Sequence, residues 1–284
     1  MGRLKIVYPV CCGMDVHRDF LIACIAATNA QGVTEYQSRR FSTYTGSLRE
    51  LRDWLLANDC KDVCMESTGK YWFPVHNILE ESCHVVVSHP KFVKAIKGKK
   101  TDKKDAQWIA DLFKHDLVRG SFIPPKDIRQ LRDLCRYWVK LSSYMTGEKN
   151  RAQNCLTVSN FKLDDVFSNV FGKSASAITT QLLEHPGEQF DVAPFVDGRC
   201  KTPIAQIQEA VDGIFTYEQA EKLKIIRGHM DSLERHKAEL ESLILEIAQN
   251  YLPQIELLLT VPGIHDAFTA IRILAEIGAD MTVF

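Results

Sequence analysis

Four acidic residues, Asp15, Glu66, Asp102 and Asp105, have the types and spacing that could carry chemistry. Asp15 and Glu66 each stand near the end of an otherwise apolar, strand-like run, where a charge is costly unless it is paired or metal-bound. Asp102 and Asp105 are three residues apart at a helix start, so their side chains project from one face. Such acids can converge on hard divalent cations, and two Mg²⁺ ions, or Mn²⁺ in their place, can clamp the attacking and leaving oxygens of a phosphodiester. Any one acid alone would equally suit a structural role, bound to a turn amide or favoured by a helix dipole.

Basic residues cluster beside these acids. The stretch from Lys91 to Lys104 contains seven lysines and one acid, Asp102, and a second basic stretch runs from Lys126 to Arg151. Such clusters attract polyanions by counterion release, although an isolated one is more often a solvated face. The predicted nucleic-acid contacts are Lys97, Lys99, Lys100, Lys103 and Lys104, the aromatic ring of Tyr71, and Arg129, Arg132, Arg136 and Arg151.

The composition excludes several classes of protein. The 284 residues are 45% hydrophobic with a net charge of −1, which is typical of a globular chain with a sizeable core. No apolar run approaches the roughly 18 residues of a membrane span, and the N-terminus does not resemble a signal peptide. The nine cysteines show no metal-binding spacing and are interpreted as reduced thiols. We therefore expect a cytoplasmic protein without membrane contact.

The acids require particular elements to position them, and the local patterns predict an α/β unit with a mixed sheet. Strands are predicted at Val10–Asp15, Phe20–Ile25, Glu35–Ser42, Asp62–Glu66 and His84–Val87, the first two as a hairpin. Helices are predicted at Leu48–Asn58 with Ser47 as its cap, at Trp72–Glu81, and from near Thr101 to Phe113.

The remainder of the chain is predicted to be largely helical. Two long amphipathic patterns, Ile128–Leu156 and Tyr217–Asn250, indicate an antiparallel coiled-coil arm or a pair of dimerisation helices. Pro124 and Pro125 mark a boundary. We expect a catalytic domain over residues 1–125, a helical domain for oligomerisation and nucleic-acid binding over 126–255, and the start of a further domain over 256–284.

Three blocks resemble a known family. Cys12–Val16, Met65–Tyr71 and Lys100–Ala106 resemble the RuvC-like domain of the DEDD transposases of the insertion-sequence one-ten family, which includes related DNA invertases. Shorter matches follow at Arg132–Leu134, Lys149–Arg151, Gly172–Ser174, Leu259–Ile264 and Ala275–Gly278, so the resemblance spans nearly the whole chain.

The resemblance implies an RNase H-like (RuvC-like) α/β fold followed by a long-helix coiled-coil region. It implies that Asp15, Glu66, Asp102 and Asp105 are both catalytic and metal-binding, and that the chemistry is DNA cleavage and strand exchange during transposition. Its implied partners are donor DNA, target DNA and a structured guide RNA transcribed from the element, which the four arginines above could also contact. It further implies a homo-oligomer, a dimer or a tetramer built as a dimer of dimers, acting on the bacterial nucleoid.

One departure from the family pattern concerns the nucleophile. Members carry a C-terminal domain with a nucleophilic serine beyond the block that matches Ala275–Gly278, whereas this sequence ends at Phe284. We therefore expect this chain to lack that serine and to be incomplete for strand exchange. Two other functions are left open by the residues: a stand-alone DNA junction nuclease that uses water, and a non-catalytic nucleic-acid-binding protein.

Overall fold

A computed structural model describes residues 4–67, 69–93 and 101–283 of the chain. The chain divides into two compact units, Met1–Ile123 and Pro124–Phe284, and each is described by itself. Within the described ranges, no helix combines the length and the apolar character that crossing a membrane requires.

Unit 1 is built on a five-stranded mixed sheet with the strand order β3-β2-β1-β4-β5. β1 pairs antiparallel with β2 and β2 antiparallel with β3, whereas β4 runs parallel to both β1 and β5. This order and these directions are those of the RNase H-like fold, so the predicted fold class is confirmed. The strands are β1 (Val10–Val16), β2 (Phe20–Thr28), β3 (Thr34–Ser42), β4 (Asp62–Glu66) and β5 (His84–Ser88).

Helices cover both faces of the sheet because β1 and β4 carry apolar side chains on both sides. On one face, Cys12 and Met14 share a core with Leu51 of α1 and Val75 of α2. On the other face, Cys11 and Cys64 pack against α4, and this face is the one that matters for the acids. The helices of unit 1 are α1 (Thr45–Ala57), α2 (Trp72–Leu79), α3 (Pro90–Val93) and α4 (Asp102–Lys114).

One local prediction differs from the structure, and one short helix was not predicted. α1 begins at Thr45, one turn earlier than predicted, and Ser47 lies inside it. The Ser47 hydroxyl accepts a hydrogen bond from the backbone N–H of Ser42 (3.2 Å), so this side chain ties strand to helix instead of capping the helix. The short helix α3 follows His89 and was not predicted.

Unit 2 is helical, as predicted, and two helices of more than 30 residues run through it. At about 1.5 Å per residue each extends nearly 50 Å. Its helices are α5 (Lys126–Val158), α6 (Leu163–Val166), α7 (Lys173–Glu184), α8 (Ile204–Ala210), α9 (Tyr217–Ala248), α10 (Leu252–Leu259) and α11 (Ala267–Ile277), with short 3₁₀ turns at Ala193–Phe195, Gln249–Tyr251 and Met281–Val283.

The long helices α5 and α9 pack antiparallel within one chain. The first half of α5, with Leu131, shares a core with Ile244 near the end of α9 and with Ile271 of α11. The last turns of α5, with Leu156, share a second core with Leu223 near the start of α9 and with α6 to α8. Unit 2 therefore has two cores joined by one pair of helices.

Candidate metal and nucleic-acid site

Adjacent strands bring Asp15 and Glu66 to the same edge of the sheet. In the parallel β1–β4 pair, Gly13 lies opposite Cys64 and Met14 opposite Met65, so the next register position sets Asp15 beside Glu66. Neighbouring strands lie about 4.8 Å apart. Because side chains alternate along a strand, Asp15 points to the same face as Cys11, and Glu66 to the same face as Cys64. Both acids therefore lie on the face that α4 covers.

Gly13 allows α4 to approach this face closely. A Cβ built on Gly13 would lie only 2.3 Å from both the carbonyl oxygen of Ala106 and the backbone nitrogen of Ala110. The helix backbone thus rests directly on β1, and α4 begins one turn before this contact, at Asp102. The absence of a side chain at Gly13 is what brings the first turn of α4 to Asp15.

Thr101 starts α4 and fixes that first turn. Its hydroxyl accepts from the backbone N–H of Lys104 (3.4 Å), and its carbonyl accepts from the N–H groups of Lys104 (2.8 Å) and Asp105 (3.0 Å). Asp102 and Asp105 both lie in this turn, where the helix dipole favours negative charge. The i, i+3 pair is thus positioned as the sequence predicts.

His17 joins the acids, and sequence analysis missed it. Its Nε2 lies 3.2 Å from an Asp15 carboxylate oxygen and 3.8 Å from an Asp102 carboxylate oxygen. One ligand atom from each of the three residues lies within 4.8 Å of the others. The signal was present in the sequence, because Asp15 and His17 are two residues apart at a strand end and so share a side of it.

The site is electrostatically unfavourable for the charged form of Asp15. The Asp15 side chain is only 15% exposed. Burial raises the pKa of Asp15 above its usual value, and the charges of Asp102 and Asp105 raise it further, although His17 opposes the shift. Converging carboxylates of this kind are stabilised by a cation, and oxygen donors are the ligands that Mg²⁺ prefers. The donor set therefore fits a divalent metal ion.

Some of the predicted nucleic-acid contacts of unit 1 lie beside the acids. Lys103 and Lys104 are exposed on the first turn of α4. Tyr71, 43% exposed, precedes α2 in the turn that leaves β4 after Glu66. The predicted contacts Lys97, Lys99 and Lys100 lie outside the described residues.

The four predicted arginines belong to unit 2, and each has an intramolecular partner. Arg132 donates to the backbone carbonyls of Ala275 (2.8 Å) and Glu276 (3.0 Å), which lie in the last turn of α11, where a cation is favoured. Arg136 forms a bidentate pair with the Glu276 carboxylate (2.8 and 2.7 Å). Arg129 and Arg151 have partners too, the carbonyl of Pro124 (2.9 Å) and the carboxylate of Glu148 (2.9 Å) respectively.

Comparison with known proteins identifies one family and several similar folds. The sequence profile DEDD_Tnp_IS110, described as "Transposase", matches residues 12–160, which is more than half of the chain. No curated protein matches.

Three solved structures are similar at low sequence identity. RuvC of Thermus thermophilus has 14% identity and a TM-score of 0.32, covering 39% of this chain and 99% of RuvC. T. thermophilus RuvC in complex with a Holliday junction substrate has 13% identity and a TM-score of 0.30, with the same coverage. Fowlpox virus resolvase in complex with Holliday junction DNA has 14% identity and a TM-score of 0.25, covering 37% of this chain and 72% of the resolvase.

Proposed function

Because the chain belongs to the DEDD transposase family, we propose that it is a DNA recombinase whose metal-dependent site is formed by Asp15, Glu66, Asp102 and Asp105. One observation carries the proposal. The end of β1 and the first turn of α4 bring the carboxylates of Asp15 and Asp102 together with His17, and the β1–β4 register sets Glu66 beside Asp15. A site of this construction is suited to cleaving and exchanging DNA strands.

The acids act as ligands of divalent ions. Asp15, whose side chain is 15% exposed, holds its carboxylate between the sheet and α4. Asp102 is 52% exposed, so it can reach a phosphate-bound ion from the solvent side. When bound, two Mg²⁺ ions, or Mn²⁺ in their place, would stabilise the attacking and leaving oxygens of the phosphodiester. Glu66 and Asp105 complete the oxygen set from the strand end and from the helix turn.

Lys103, Lys104 and Tyr71 bring the nucleic acid to these acids. The two lysines lie between Asp102 and Asp105 along the chain, so they can neutralise phosphates next to the metal ligands. The Tyr71 ring is exposed enough to stack on a base or sugar. Positive charge next to the acids also offsets the repulsion that they would exert on the DNA backbone.

A structured guide RNA and a homo-oligomer belong to the same proposal. Arg136 and Arg151 keep side chains that are 63% and 59% exposed, so both can contact a phosphate while paired with a glutamate. Arg132 is 22% exposed and its role in stabilising α11 is better supported than a role in RNA binding. Exposed apolar side chains on α5 and α9, among them Tyr144 and Ile225, favour assembly through the long helices.

The test is Mn²⁺-dependent nicking of the element's own end DNA, with and without its candidate RNA. We expect nicking by the wild type, loss of nicking in Asp15→Asn, and retention in Asp62→Asn, which changes an acid of β4 that pairs with His84 (2.9 Å) at the opposite end of the strand. A gel shift of the same DNA should be preserved in both variants.

Each outcome decides part of the proposal. Equal loss of nicking in Asp15→Asn and Asp62→Asn would contradict the assignment of the acids. DNA binding without any nicking would contradict a catalytic role for this chain alone and favour a non-catalytic binding protein. Nicking of branched DNA that is independent of RNA would instead favour a junction nuclease.

A further inference from the structure

His17 occupies the position between two of the proposed metal ligands. Its Nε2 is 3.2 Å from Asp15 and 3.8 Å from Asp102. Two ligands of one Mg²⁺-sized ion lie at most about 4.2 Å apart, because each bond is about 2.1 Å long. Both separations from Nε2 fall within this limit, and one ligand atom from each of the three residues lies within 4.8 Å of the others. Binding of one ion by the imidazole and the two carboxylates therefore needs the carboxylates to move by less than about 1 Å.

Contacts with Phe20 hold the ring of His17 in this orientation. It packs on the ring of Phe20 with 4.7 Å between centroids, and the backbone N–H of His17 donates to the carbonyl of Phe20 (2.9 Å). The guanidinium of Arg40 in turn lies 3.9 Å from the centroid of Phe20. The hairpin between β1 and β2 therefore presents Nε2 to the acids, with Phe20 packed against the ring.

We propose that His17 is a nitrogen ligand of the ion held by Asp15 and Asp102, and that it makes this position prefer Mn²⁺ to Mg²⁺. The inference rests on the proposed function, since it concerns the same metal site. Mg²⁺ strongly prefers oxygen ligands, whereas transition-metal ions accept imidazole readily. A position with one nitrogen and two carboxylates therefore favours Mn²⁺ over Mg²⁺, and the remaining acids supply oxygens to the second ion.

The alternative role for His17 is electrostatic, and it predicts the opposite result. If His17 only supplied positive charge to the acids, it would compete with any cation for them. Its removal would then strengthen binding of Mn²⁺ and of Mg²⁺ alike. As a ligand, its removal weakens Mn²⁺ binding and leaves Mg²⁺ binding nearly unchanged.

The experiment measures Mn²⁺ binding to the full chain by electron paramagnetic resonance, with no nucleic acid present. We expect His17→Ala to weaken Mn²⁺ binding by roughly tenfold and to change Mg²⁺ binding, measured by competition, far less. His84→Ala is the matched control, because His84 also pairs with an aspartate (Asp62, 2.9 Å) but at the opposite end of the sheet. Asp15→Asn reports whether the bound ion is at this site.

Pulsed measurements on the wild type provide a direct signature that a structural role would not produce. A nitrogen ligand gives a ¹⁴N coupling to bound Mn²⁺ that changes when histidine is labelled with ¹⁵N and disappears in His17→Ala. Thermal unfolding without metal checks that the variants are folded, and the labelled wild type tests the proposal even if they are not.

The outcomes separate the two proposals. Mn²⁺ binding that requires Asp15 but shows no nitrogen coupling overturns the role of His17 and leaves the metal site intact. Stronger binding of both ions in His17→Ala identifies a counter-charge and also overturns it. Absence of Mn²⁺ binding, or binding that Asp15→Asn does not affect, overturns both the ligand role and the metal site itself.

Discussion

The two ends of α4 place charged side chains against the same sheet and treat them differently. At the C-terminal end, the Lys114 ammonium is buried and hydrogen-bonds to Asp111 (2.6 Å), to the Tyr36 hydroxyl (3.1 Å) and to Thr34 (3.4 Å). The Tyr36 hydroxyl also donates to Asp111. At the N-terminal end, the charges of Asp102 and Asp105 act on Asp15, and His17 Nε2 lies 3.2 Å from Asp15 and 3.8 Å from Asp102.

The difference separates a charge that the protein favours from a charge that it disfavours. Burial disfavours the charge on Lys114, but its hydrogen bonds to Asp111 and Tyr36 outweigh this, so the pKa of Lys114 is raised. The pKa of Asp15 is also raised, which for an acid means that its charged form is disfavoured. The charge at the C-terminal end of α4 is compensated by hydrogen bonds within the protein, whereas at the N-terminal end the charged form of Asp15 is disfavoured. Substitutions in α4 and β1 test whether the two ends of the helix differ in this way.

Gly13→Ala should have the largest effect, because it disturbs the contact that positions both ends. The new Cβ would overlap backbone atoms of Ala106 and Ala110, which are not free to move independently of the helix. We expect a loss of stability of more than about 3 kcal/mol, measured by chemical unfolding, together with loss of metal binding. Gly46→Ala in α1 is the control, since nothing lies within 4 Å of its Cβ and its stability should be unchanged or slightly increased. Equal stability of the two variants would contradict the role given to Gly13.

Asp105→Asn should abolish activity without unfolding the protein. Removing one metal ligand costs several kcal/mol of transition-state stabilisation, so we expect nicking to fall by about 10³-fold. Asp111→Asn, on the same helix but at its compensated end, should keep its activity per folded molecule. The readout is the single-turnover nicking rate with Mn²⁺, and comparable losses in both variants would mean that the two ends are not functionally distinct.

The sequence predicts the positions of the candidate acids on strand ends and a helix start better than it predicts the contacts that support them. Acids in apolar strand ends and a Thr-initiated helix were identifiable, because a buried charge and a helix cap each leave a local pattern. The roles of Gly13 and Lys114 were not, since a glycine in a strand and a lysine in a helix have many explanations. The packing of α4 on β1 gives Gly13 a specific role, and the hydrogen bond from Lys114 to Tyr36 on β3 gives Lys114 a specific role.

The arginines of unit 2 show the opposite case, in which the sequence predicts a contact but does not reveal a structural role. A basic stretch on a long helix predicts nucleic-acid contact by charge alone. In the structure Arg132 and Arg136 bind the last turn of α11, a segment about 140 residues away in sequence. A long-range contact of this kind has no local signature, so sequence alone does not distinguish an arginine that supports a helix end from one that binds phosphate.

Lys114→Met should reduce stability and leave the chemistry intact. The substitution keeps most of the side-chain volume but leaves Asp111 and the Tyr36 hydroxyl without their cation. Breaking a buried ion pair by removing one partner costs about 3–5 kcal/mol, and because Asp111 is 30% exposed we expect a smaller loss of about 2 kcal/mol. Chemical unfolding gives the stability, and the nicking rate per folded molecule should match the wild type. A nicking defect larger than the unfolded fraction would show that this end of α4 also serves catalysis.

Asp15→Asn should show the smallest effect on stability, and its sign should depend on metal. Without divalent ions the variant removes a disfavoured charge while keeping the shape of the side chain, so we expect it to be more stable than the wild type by up to about 1 kcal/mol. With Mn²⁺ at about 100 times its dissociation constant, the wild type should gain about 2.7 kcal/mol from binding and the variant much less, which reverses their order. Thermal unfolding with chelator and then with Mn²⁺ measures both. An Asp111→Asn variant should be less stable than the wild type in both conditions, because its carboxylate is already compensated by Lys114. Failure of the order to reverse for Asp15→Asn would mean that the acids at the start of α4 do not depend on a cation.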